Sequence, residues 1–138
     1  GELVEAYENM RYKQDVVFVG RAPQDELFEL LGSALALVYP SLFEGFGIPI
    51  IEGFKAEVPV ITSNCTAMPE VAEDAALLVD PNSIDDISAA MSRVASSELL
   101  RQELVAKGRK QASRFSWAKT ASLLWASLEW TYSEGGAR

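Results

Sequence analysis

Four short apolar runs punctuate this chain at helix-length intervals, and that alternation limits its fold more than any single residue does. The runs "VVFVG" (16–20), "ALALVYP" (34–40), "VPVITS" (58–63) and "AALLVD" (75–80) are largely aliphatic and lack a polar alternation. Strands of that kind are covered on both faces, which is the situation of a parallel sheet. Helical patterns lie between them. "QDELFELLGSA" spaces Leu27, Leu30 and Leu31 along one face, and Gly32 can end it. "IPIIEGFKA" carries Pro49 in its first turn, and "MPEVAED" reads as a one- or two-turn helix with another early proline. Such alternation predicts an α/β fold: a Rossmann-like doubly wound parallel sheet with helices on both faces, followed by a helical C-terminal segment from Pro81 onward.

That segment divides into three helices. The first has Asn82 or Ser83 as N-cap, Asp85 and Asp86 in the first turn where the helix dipole favours acids, and an expected buried stripe of Ile84, Ile87, Met91 and Val94. "SELLRQELVAKGRKQASRF" is the second, and Ser116 can cap a third that runs to about Tyr132. The third carries two apolar stripes: Trp117, Ala121, Leu124, Trp125, Leu128 and Tyr132 on one face, and Leu123, Ala126 and Trp130 opposite. A helix apolar on both sides is normally buried on both. Either another body covers Trp130, or it is one exposed tryptophan near a terminus, of which folded surfaces hold many.

The chain has 138 residues, enough for one domain with its own core. A net charge of −8 opposes nucleic acid as a partner, since phosphate binding rests on Lys and Arg. No apolar run approaches the roughly 20 residues that span a bilayer, and "GELVEAYENMRYK" lacks a secretory pattern, so the expectation is a cytoplasmic protein. Cys65 is alone, which excludes a disulfide framework and reads as a small buried hydrophobe. Histidine is absent, which removes imidazole bases and most zinc sites and leaves carboxylates to move protons.

The candidate site is the stretch "SLFEGFGIPIIEGF", in which Glu44 and Glu52 stand either side of Gly45 and Gly47. A strand, a glycine turn and a helix start together form an anion site, because the first helical N–H groups lack intrahelical partners and the dipole is positive there. Parallel sheets also bind ligands beyond the carboxyl ends of their strands. The loop is no dinucleotide fingerprint: Ile50 holds the third glycine position, and no Gly-Lys-Ser/Thr follows. Carboxylates accept hydrogen bonds from hydroxyl groups, so a ligand suited to both acids and amides carries phosphate and a polyol, as a nucleotide sugar does. The bland alternative puts Glu44 in a solvated loop and Glu52 on a solvated helix face.

Read whole, "PSLFEGFGIPIIEGFKAEVPVITSNCTAMPEVAEDAALLVDP" resembles the C-terminal, donor-binding domain of retaining GT-B glycosyltransferases of the group 1, family 4 type. The matching positions are Pro40, Ser41, Glu44, Gly45, Phe46, Gly47, Pro49 and Glu52, with "PVITS", Glu70-Val71, "LLVDP" and Phe115 to Trp117 beyond them. The resemblance implies that Glu52 binds the ribose hydroxyls and that Glu44, the catalytic candidate, lies by the donor sugar. Ser41 and the segment Gly45, Phe46, Gly47 and Ile48 would meet the sugar and diphosphate, and the turn at Arg21 would face the base. It implies retaining transfer of a sugar from a nucleotide diphosphate donor to an acceptor hydroxyl, with no metal and no separate cofactor.

Two features depart from the family. Glu57 and Val58 stand where members commonly have glycine before the "PV" strand, and residues 1–15 hold no match for the diphosphate-binding Arg/Lys pair. The resemblance further implies that an N-terminal acceptor domain precedes this region, that residues 1–138 alone do not catalyse transfer, and that the missing domain packs on the final helix near Trp130. Through that domain the protein would reach the inner membrane surface. The acceptor is not specified. The rival from another class is a noncatalytic nucleotide-recognition or scaffold domain that kept the fold. An epimerase or phosphorylase is a third reading, but the lysine motif of a phosphorylase is missing.

Overall fold

The structure is a computed structural model that describes residues 1–135. Its centre is a parallel sheet of β1 (Leu37–Tyr39), β2 (Val60–Ser63) and β3 (Ala76–Val79) in that order. Leu37 pairs with Val60, and Val60 with Ala76. Around it run α1 (Glu2–Glu8), α2 (Gln24–Ser33), α3 (Ile48–Lys55), α4 (Met68–Ala72), α5 (Ile84–Ser96), α6 (Glu98–Ala112) and α7 (Trp117–Gly135).

Side chains alternate across a strand, and both faces of this sheet are covered. On one, Leu37, Tyr39, Val60 and Ala76 meet Ile50 and Phe54 of α3 and Met68 and Val71 of α4. On the other, Val38, Ile61 and Val79 meet Ala90 and Val94 of α5 and Leu104 of α6. This is the doubly wound arrangement that the unbroken apolar runs require. α6 serves both clusters, through Leu104 on one side and Ala112 on the other. It approaches α3 closely at Gly108, where a Cβ would stand 2.8 Å from the Phe54 ring. Serine caps begin the last three helices: the hydroxyls of Ser83, Ser97 and Ser116 accept from the N–H groups of Asp86, Leu100 and Lys119, each at 3.2 Å.

The C-terminal end of α3 is a Schellman motif, with the Val58 N–H bonded to the Gly53 carbonyl at 3.0 Å and the Glu57 N–H to Phe54 at 3.2 Å. Its left-handed position, usually glycine, is held by Glu57 at φ +60°. The missing glycine before the "PV" strand is therefore the missing glycine of this cap. The Glu57 carboxylate pairs with Arg109 of α6 across the surface.

Three expectations fail: the strand over 16–20, the α5 stripe and the burial of Cys65. The run 16–20 belongs to no strand and turns left-handed at Gly20 (φ +70°), and Val17 and Phe18 are 79% and 70% exposed. None of the three strands among the described residues pairs with it, so its apolar character finds no ladder to join. The Tyr7 ring meets Phe18 edge-on at 5.2 Å. The buried stripe of α5 is Ile87, Ala90 and Val94, whereas Ile84 and Met91 are exposed. The small Ala90 carries the contact with the sheet, and Met91, 100° further round, turns to solvent. On α7 every side chain through Ser133 is exposed, including Trp125 on one stripe and Trp130 on the other. Cys65 is only half-buried, its thiol 3.5 Å from the Leu42 carbonyl. No helix among the described residues is long and apolar enough to cross a membrane.

Candidate functional site

The loop after β1 and the start of α3 meet at Gly47, whose φ of +96° lies in the left-handed region. A Cβ there would stand 3.0 Å from the Met68 sulfur and 3.1 Å from Ile50 Cδ1, so backbone and packing both call for glycine. Pro49 occupies the first turn, and no side chain caps the helix. Of the opening amides of α3, Pro49 has none and that of Ile50 donates to the Gly47 carbonyl at 3.1 Å, which leaves that of Ile48 without a partner among the described residues.

The loop after β2 supports the loop after β1. Ser63, fully buried, donates to the Ser41 carbonyl at 2.6 Å, and the Glu44 N–H reaches the Thr66 hydroxyl at 3.4 Å. Thr66 is itself left-handed, at φ +53°. Glu44 is half-buried and fixed by its side chain as well. Its Oε1 accepts from the Tyr39 hydroxyl and faces the Ser41 hydroxyl at 3.3 Å. The bond to Glu44, then burial, then the negative charge raise the Tyr39 phenol above its ordinary pKa.

Two hollows flank the α3 start. The larger, about 500 Å³, is lined by Glu52, Lys55, Ile48 and Ile51 of α3, by Gln24 and Phe28 of α2, and by Phe46, Phe115, Ser116, Trp117 and Thr120. The smaller, about 270 Å³, lies between Gly45, Phe46, Glu70, Gln111 and Arg114. Phe46 lines both, and its ring meets Phe115 edge-on at 5.7 Å. In the smaller hollow Gln111, 5% exposed, donates to the Val71 carbonyl at 2.9 Å and accepts from Arg114, which also pairs with Glu73.

The sequence-predicted residues divide among these features. Glu52, Phe46 and Ile48 line the larger hollow, and Gly45 and Phe46 line the smaller. Glu44 and Ser41 form the hydrogen-bonded cluster with Tyr39, and neither hollow is lined by both acids. Arg21 is exposed beside Gly20 and lines neither. Arg11 stacks over Tyr12, and Lys13 pairs with Glu8 at 2.6 Å, so both are occupied away from the α3 start. Sequence reasoning missed Tyr39, Lys55 and the share of α7 in the larger hollow. Trp117 was visible as the end of "FSW" and the first member of an apolar stripe, with no link to the hollow.

The chain has counterparts among known proteins. Residues 2–111 match the family described as Glycosyl transferases group 1. The chain belongs to that family. The O-antigen chain mannosyltransferase B of Escherichia coli is 43% identical over 100 residues, covering 72% of this chain and 26% of that protein. An MMP alpha-(1->4)-mannosyltransferase from Mycolicibacterium hassiacum is 34% identical over 113 residues, 78% of this chain and 28% of its own length. The chain thus spans about a quarter of the length of these relatives. Among solved structures, a sucrose-phosphate synthase from Thermosynechococcus elongatus superposes with a TM-score of 0.82 at 25% identity, over 96% of this chain and 33% of that one. The Rossmann-like fold of this group 1 domain is accordingly that of GT-B enzymes.

Proposed function

We propose that this domain binds the nucleotide diphosphate sugar of a retaining glycosyltransferase, and that the full-length protein moves the sugar to an acceptor hydroxyl. The observation that carries the reading is the start of α3, uncapped and left-handed at Gly47, with Glu52 in an aromatic-walled hollow on one side and an anchored Glu44 on the other. Glu52, about 4.5 Å along the helix axis from Pro49, holds the ribose diol. The hollow's aromatic rings suit a base, and the amides from Gly45 to Ile48, with Ser41, meet the diphosphate and sugar. Charge on the departing diphosphate is stabilised by those fixed donors, without a metal. Glu44 faces the sugar and supports positive charge at its anomeric carbon.

Several relatives are named mannosyltransferases, which makes mannose the sugar we favour. A preceding acceptor domain would cover the apolar face around Trp130, and transfer would need both domains. The test is transfer by the full-length protein from a panel of UDP, GDP and ADP sugars that includes GDP-mannose, with the product's anomeric configuration read by NMR. Turnover with retention supports the reading. Inverted product refutes retention, and binding without transfer is the result that a noncatalytic recognition domain would give.

A further inference from the structure

Resting on the role just given to Glu44, we infer that Tyr39 is the positioning residue that aims the Glu44 carboxylate at the donor sugar. Tyr39 is the last residue of β1, and its ring, like the Leu37 side chain, is packed against the core cluster that holds Val60. Its position is set by the sheet and not by the loop. Its hydroxyl donates to Oε1 of Glu44, the oxygen that the Ser41 hydroxyl also faces. The Ser41 hydroxyl faces that oxygen and the Phe43 carbonyl, both at 3.3 Å, and lies against the Tyr39 hydroxyl as well, whereas the Tyr39 proton goes to Glu44.

Both donors converge on one oxygen, and no hydrogen bond to Oε2 is recorded among the described residues. A carboxylate held by one oxygen presents the other in a fixed direction, which an unanchored glutamate on a glycine-flanked turn does not. Loss of rotamer freedom is thereby completed before the ligand arrives, a form of preorganisation that favours the transition state. The raised phenol pKa fits this arrangement: the tyrosine keeps its proton and stays a donor through the neutral range. Tyr39 also ties the reactive loop to the sheet from below, while Thr66 ties it from the side through the Glu44 N–H.

The experiment is a double-mutant cycle in the full-length protein with GDP-mannose, UDP-glucose and ADP-glucose as donors, measuring kcat and KM for Tyr39→Phe, Glu44→Ala and the double variant. Tyr39→Phe keeps the ring and its packing, and thermal melting checks that the fold survives. The expected result is a kcat lower by about 10- to 100-fold, the worth of a hydrogen bond to a charged group, with KM for the donor changed by less than about threefold. In the Glu44→Ala background the same change should cost nothing further. Ser41→Ala should lower kcat by a smaller factor. Equal losses in both backgrounds, or a loss carried in KM, would overturn the positioning role. Normal turnover in Glu44→Ala would instead overturn the function assigned to Glu44 itself, and the inference with it.

Discussion

At Tyr39 and Glu57 the chain makes local choices with measurable consequences. Because the folded pKa of Tyr39 is raised, its bond to Glu44 contributes stability that is fully present below the unfolded phenol pKa of about 10 and is lost as pH rises through the higher folded value. Melting temperatures taken from neutral pH to about pH 11 should therefore fall more steeply for the native chain than for Tyr39→Phe; parallel curves would show that the bond adds nothing. Glu57 bears a left-handed backbone cost of roughly 1–2 kcal/mol, offset in part by its exposed pair with Arg109. Replacement by glycine removes the strain but frees the unfolded chain by about 0.4–1 kcal/mol, so Glu57→Gly should leave stability equal or raised by up to about 1 kcal/mol in urea unfolding. A loss beyond about 1 kcal/mol would mean that the bond to α6 outweighs the cap. Both acids of the site stood out in the sequence because of the glycines between them. Tyr39 did not, since a tyrosine ending an apolar run looks like any other strand residue until its hydroxyl is seen to reach across the turn.

Helices and strands were legible to the extent that their pattern depends on neighbours within this chain. β1, β2, β3, the short α3 and α4 with their early prolines, and the serine caps all follow from local spacing and turn chemistry. The run 16–20 carries the same apolar signal as β2, yet pairing needs a strand beside it, and none of the described strands is its neighbour. The α5 stripe shifted because a small residue, Ala90, joins the buried cluster under the sheet while Met91 faces solvent, a choice that hydrophobicity alone does not encode. The meeting of α3 and α6 depends likewise on a missing side chain. Gly108→Ala would press a methyl group into the Phe54 ring, and overpacking of this kind should cost about 1–3 kcal/mol in denaturant unfolding. Unchanged stability would mean that α6 can draw back from α3 without loss.

At the scale of the molecule, apolar side chains gather outside the sheet: on α7 at Trp117, Trp125 and Trp130, on the 16–19 run and on α2. The same α7 that is exposed along its length contributes Trp117 and Thr120 to the hollow of Glu52, so the body we propose over its second face would also fix that wall of the site. Amide exchange across α7 should be slow in the full-length protein and fast in residues 1–138; equal rates would remove the case for such a cover. The central claim concerns the α3 start, and calorimetric titration of the full-length protein with GDP, UDP and ADP and their sugars tests it directly. Glu52→Ala should weaken nucleotide binding by about 1–3 kcal/mol, roughly 5- to 150-fold, while Glu44→Ala leaves the affinity for the bare nucleotide near that of the native protein. Native affinity in Glu52→Ala, with any of the nucleotides that bind, would contradict the account.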